Sequence, residues 1–181
     1  MAHTPTTSAI DRYANDAIKK KDPLVFLKEF GPLHNRWHTT ALRNRLGFLL
    51  FHWHVVTALK KSHADQIWPG GIQPFTIADW EGFNWPYNIT TAVTAGDFDS
   101  LAAFSSAIEN WHNEAHMAVM NATGENMMNP LTNVLLLNFW RLHYFIDARF
   151  MEALASFDAT GSPKQKIARM EIKYHARLGA I

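Results

Sequence analysis

The chain has 181 residues, enough for one domain with a core of its own. Its 17 basic and 16 acidic residues leave a net charge of +1, which argues against nucleic acid or an anionic membrane as partner. Cysteine is absent, so neither disulfides nor thiolate ligation can contribute; no apolar run is long enough to span a membrane and no secretory leader is visible, so a cytoplasmic protein is expected.

Residues 7–20 read as a first helix opened by Ser or Thr caps and closed by Asp22-Pro23. Leu24 to Phe30 reads as a short helix stopped by Gly31-Pro32. From about Leu33 to Ser62 the pattern is helical and strongly apolar, with a break expected near Asn44 or Gly47. Trp68 to Pro86, rich in Gly, Pro and aromatics, reads as a loop. Asp97 to Ser100 caps a helix to about Ala122, with Leu101, Phe104, Ile108, Trp111 and Ala115 on one face. Thr123 to Pro130 is a loop, and Leu131 to Phe157 a long helix apolar enough to lie at the centre. Gly161-Ser162-Pro163 ends it, and a basic helix follows. The fold class expected is all-α: a single domain over 1–181, a four-helix bundle core at about 33–150 holding a binuclear metal site, and additional short helices with an aromatic-rich loop.

Ten histidines are present, and most fall into two clusters with metal-ligand spacing. Residues four apart lie on one helix face one turn up. His112 with His116, and His34 with His38, can therefore each grip one ion. His143, on the next helix, is the natural third ligand for the first pair. His54 or His52 serves the second pair; these two point to nearly opposite faces, so only one should bind. Paired imidazoles without thiolates or converging carboxylates suit copper or zinc. His3, His63 and His175 read as bystanders.

Other metal motifs fit less well. A zinc protease needs Glu directly after the first histidine of the pair, and Asn113 stands there. A ferritin-like di-iron site needs two Glu-x-x-His motifs, of which only Glu109 to His112 is present. Neither a nucleophile elbow nor a Gly-rich phosphate loop occurs.

Phe139-Trp140-Arg141-Leu142-His143-Tyr144-Phe145-Ile146-Asp147 resembles the second-copper signature of the type-3 (binuclear) copper family of tyrosinases, catechol oxidases and haemocyanins. His112-Asn113-Glu114-Ala115-His116 is similar to the His-Asn-x-x-His pair that precedes that signature in many tyrosinases. Phe51-His52-Trp53-His54-Val55-Val56 resembles the Trp-His helix that supplies the last ligand of the first copper, which favours His54 over His52. The resemblance covers mainly residues 34–62 and 108–150 and departs at Leu136-Leu137-Asn138, where relatives usually carry Asp-Pro.

This resemblance implies a short bacterial-type member with a four-helix bundle around two copper ions held by His34, His38, His54, His112, His116 and His143, with dioxygen as co-substrate. It implies tyrosinase-like oxidation or hydroxylation of a phenol- or aminophenol-type aromatic, Asn113 helping a water deprotonate the phenol, and Asp147 anchoring a helix instead of ligating. Trp68 to Tyr87 would line the substrate entrance, and a copper-delivery helper protein would be a partner. The alternative is a non-catalytic dioxygen-binding bundle, haemocyanin-like or haemerythrin-like. No His-x-x-x-Glu is present, which turns the reading from iron to copper.

Overall fold

The computed structural model describes residues 5–39, 47–83, 89–157, 160–163 and 165–170. The protein is all-α, and no strand occurs among the described residues. In chain order the helices are α1 (Pro5–Lys20), α2 (Pro23–Thr39), α3 (Gly47–Lys61), α4 (Ile77–Gly82), α5 (Ile89–Val93), α6 (Leu101–Thr123) and α7 (Leu137–Phe157). Short 3-10 turns at Ala64–Gln66, Ala95–Asp97 and Asn133–Leu135 link them. No helix among the described residues is long and apolar enough to cross a membrane. The expected break at Asn44 lies outside the described residues, as do Tyr87, His3 and His175.

Helix ends follow local chemistry. Ser100 accepts a hydrogen bond from the Ala103 N–H at the start of α6, and Gly124, at φ 76°, closes it with its N–H on the Met120 carbonyl. Three expectations for the elements are corrected. First, α2 runs straight through Gly31-Pro32. Pro32 has no N–H for the Lys28 carbonyl, but its ring lies exposed outside the core while Phe30, Leu33, His34 and Trp37 stay buried, so packing overrides the local break. Second, α7 begins at Leu137, since residues 131–136 form a turn and a 3-10 segment. Third, the aromatic loop contains α4, nucleated by a capping box in which Thr76 and Asp79 exchange hydrogen bonds.

One apolar core runs through the molecule. Trp140, Phe139, Leu142 and Phe150 of α7 are buried among Phe104 and Ile108 of α6, Phe48 and Leu59 of α3, and Phe26 and Phe30 of α2. Each such side chain contributes about 1.5–3 kcal/mol on burial. The Trp140 Nε1–H donates to the Val134 carbonyl at 2.8 Å, which lets a large polar-tipped ring lie at the centre. Arg141 ties the aromatic loop to α7: its Nε–H donates to the Gln73 carbonyl at 3.0 Å, and its guanidinium lies 4.2 Å from the Phe75 ring centre. Around this core α1 packs on α2 and α3, while α7 packs on both α3 and α6.

Candidate metal centre

Four helices bring histidines to one place in the core. From α2 come His34 and His38, from α3 His52, from α6 His112 and His116, and from α7 His143. All but His38 are buried, with 5% exposure or less. One expectation fails: the α3 histidine in the cluster is His52, not His54. His52 turns its ring toward His143, at 4.8 Å between centres, and toward His112. His54 is half-buried with its ring 4.9 Å from Trp53, and it belongs to neither ligand group. Its position two residues on, about 200° around the helix, takes it off the interior face.

The rings are aimed by their far nitrogens. His52 and His143 give Nδ1–H to the carbonyls one turn back on their own helices, Phe48 at 2.7 Å and Phe139 at 2.6 Å. The Nδ1–H of His34 goes to the Pro130 carbonyl at 3.1 Å, and that of His116 to the Met127 carbonyl at 2.7 Å. A carbonyl oxygen can only accept, so these contacts fix the tautomer of all four rings. Their Nε2 atoms are therefore bare lone pairs, and they converge. The His34 and His38 Nε2 atoms are 2.9 Å apart, those of His112 and His116 2.8 Å, and those of His112 and His143 3.3 Å. The His52 Nε2 is buried with no hydrogen-bond partner, as is the His112 Nδ1.

Ligand atoms of His34, His38 and His52 lie within 4.8 Å of one another, and so do those of His52, His112 and His143. His52 stands between the two groups. In a tetrahedral shell with metal–nitrogen bonds of about 2.0 Å, neighbouring nitrogens are roughly 3.3 Å apart. The 3.3 Å between the His112 and His143 Nε2 atoms matches that shell. The 2.8 and 2.9 Å pairs have the length of ring-to-ring hydrogen bonds that an ion would open by about 0.4 Å. The unpartnered inward lone pair of His52 suits a cation. The residues present therefore fit a metal held by imidazole nitrogen.

Burial sets the charge state. His34, His52, His112 and His143 are pushed well below the usual imidazole range, first by loss of water and then by neighbouring rings. His116 is held down to about 4 by burial, partly offset by its bond to Met127. Neutral rings are the form that ligates. Aromatic walls keep water out: Phe48 lies 4.2 Å from the His52 ring and Phe139 4.0 Å from the His143 ring.

A pocket of about 190 Å³ opens onto the cluster, lined by His34, His38, His112 and His116 and by Asn113, Met127, Met128, Pro130 and Asn133. Asn113 is exposed at this mouth. The described part of the aromatic loop, up to Phe83, does not line it: Phe75 and Trp80 are buried and pack with Phe83, Trp111 and Phe145. Asp147 faces Lys60 of α3 at 3.9 Å and belongs to neither ligand group, and burial raises its carboxyl to about 6 against the pull of Lys60. His63 is exposed on the turn after α3.

Sequence reasoning missed the carbonyls of residues 127 and 130 and the side chain of Asn133. A signal was present for His52: His34, His52 and His143 each follow a Phe by four residues, whereas His54 follows Leu50. No family model, curated protein or solved structure matches the chain.

Proposed function

We propose that the chain is a binuclear copper oxidoreductase that uses dioxygen to oxidise or hydroxylate a phenol- or aminophenol-type aromatic. The observation that carries this reading is the inward convergence of lone-pair Nε2 atoms on His34, His52, His116 and His143, joined by His38 and His112. His34, His38 and His52 form one group of three, and His52, His112 and His143 another. With His116 beside His112 at 2.8 Å, one ion would be held by His34, His38 and His52 and a second by His112, His116 and His143. A donor set of neutral nitrogen without carboxylate favours copper over iron. When bound, a copper pair supplies the electrons for dioxygen reduction and recovers them from the aromatic substrate.

The chain's own part is binding, orientation and exclusion of water. Backbone carbonyls of residues 48, 127, 130 and 139 hold the rings in one tautomer and direction. Phe48 and Phe139 keep the interior dry. Asn113, exposed at the pocket mouth, holds a water or a substrate hydroxyl by its amide. The pocket reaching four of the histidines supports an enzyme over a closed oxygen carrier.

The test is elemental analysis of desalted protein after copper reconstitution, followed by oxygen uptake with phenol and aminophenol. Two copper atoms per chain with phenol-dependent uptake is the expected result. One atom per chain overturns the paired site, and none removes the oxidoreductase reading altogether.

A further inference from the structure

The pocket wall beside His116 carries a polar group that no ligand role explains. Asn133 is 2% exposed, yet it lines the pocket. Its Nδ2–H donates to the Met127 carbonyl at 2.9 Å, which settles the amide orientation, because a carbonyl cannot donate. The Oδ1 atom is left buried without a partner. A buried carbonyl lacking a donor has lost its water without replacement, a cost recovered when a ligand supplies the donor. Apart from the histidines and Asn113, the rest of the lining is Met127, which is fully buried, Met128 and Pro130. A cavity of roughly 150 Å³ accommodates a benzene ring, so about 190 Å³ has room for one ring with small substituents.

We propose that Asn133 is a substrate-binding residue whose Oδ1 accepts a hydrogen bond from the O–H or N–H of a single-ring phenol or aminophenol, fixing its orientation in the pocket. This rests on reading the pocket as the substrate entrance of the copper site. The same side chain couples substrate to ligand. The Met127 carbonyl takes both the Asn133 Nδ2–H and the His116 Nδ1–H, so the group that holds the substrate also fixes the carbonyl that aims His116.

The test compares 4-fluorophenol with 4-fluorotoluene, which puts a methyl group of similar size in place of the hydroxyl. Both are titrated anaerobically by fluorine NMR into the copper-reconstituted full chain. The expected result is that the phenol binds at least tenfold tighter. In Asn133→Leu that ratio falls at least fivefold, while affinity for the toluene changes less than twofold. A ratio unchanged by Asn133→Leu overturns the proposal.

A second readout needs no substitution of the residue. In wild-type protein carrying carbon-13 at the asparagine side-chain carbonyls, the Asn133 signal moves on adding 4-fluorophenol and stays on adding 4-fluorotoluene. A signal that ignores both, with the phenol bound, overturns the proposal even if the leucine variant fails to fold. Failure of the copper reading appears separately, as absent metal with the Asn133 signal still responding to the phenol.

Discussion

At the scale of single residues, a histidine is useful to a metal only when one nitrogen is aimed and the other is occupied. His52 meets both conditions through its bond to the Phe48 carbonyl and its unpartnered inward Nε2. His54, two residues on, lies half-buried against Trp53 and in neither ligand group. His52→Ala is therefore expected to remove at least half of the bound copper, and His54→Ala to change it by less than a tenth; elemental analysis of the two variants checks this. The opposite ranking would return the first-copper site to His54. Asp147 gives a second residue-scale expectation. Its carboxyl stands at about 6, above its ordinary 3.8, because burial outweighs Lys60. A raised carboxyl favours the protonated folded form, so ionisation costs stability as pH rises through that window. Asp147→Asn should therefore melt higher than wild type, with a gap that opens between about pH 4 and 6 and stays constant above. A gap that closes as pH rises would mean the Lys60 pair dominates.

Among the elements, the segment between α6 and α7 governs the centre more than its lack of regular structure suggests. It carries the carbonyls that aim His116 and His34, and it places Asn133 on the pocket wall. Asn129 holds it in shape: its carbonyl accepts from the backbone N–H groups of Thr132 and Asn133, and its Oδ1 from Leu131. The segment can lie this close to α2 because Gly31 has no side chain; a Cβ there would collide with the Leu131 carbonyl oxygen. Gly31→Ala should add overpacking of about 1–3 kcal/mol, more than the roughly 1 kcal/mol of helix propensity it gains. A lower melting temperature together with weaker copper retention under chelator challenge is expected. Unchanged values for both would show that the segment is not seated on this glycine. Gly31-Pro32 looked like a helix stop because proline interrupts a ladder locally. The burial of Phe30, Leu33, His34 and Trp37 on one face carries α2 through it.

For the whole molecule, the cluster is a set of buried bases at the meeting point of four helices, and its metal-free form should be acid-labile. A base whose folded pKa is depressed stabilises the fold above its unfolded value and loses that contribution as pH falls. His116, down to about 4, loses it between its ordinary 6.5 and about 4, and the more strongly shifted rings extend the loss further. Thermal melts of copper-free protein should therefore fall steeply below about pH 6.5. Copper should raise the melting temperature at neutral pH, by an amount that grows with its free concentration. Melts of the copper-free protein that are flat from pH 7 to pH 4 would place the histidines in contact with water.

The all-α class and both His-x-x-x-His pairs were legible in the sequence because they depend on spacing along one helix, which the 3.6-residue period fixes whatever lies around it. His143 was legible for a similar reason, as the one histidine on the apolar α7. The choice of His52 over His54, the passage of α2 through Pro32, the start of α7 at Leu137 and the place of Asn133 were decided by the tertiary structure. Each depends on what packs against a given face: the core against α2, the histidines of α6 and α7 against α3, and a folded-back segment whose carbonyls reach His34 and His116. Contacts between residues as distant in the chain as His34 and Pro130 leave no periodic trace along it.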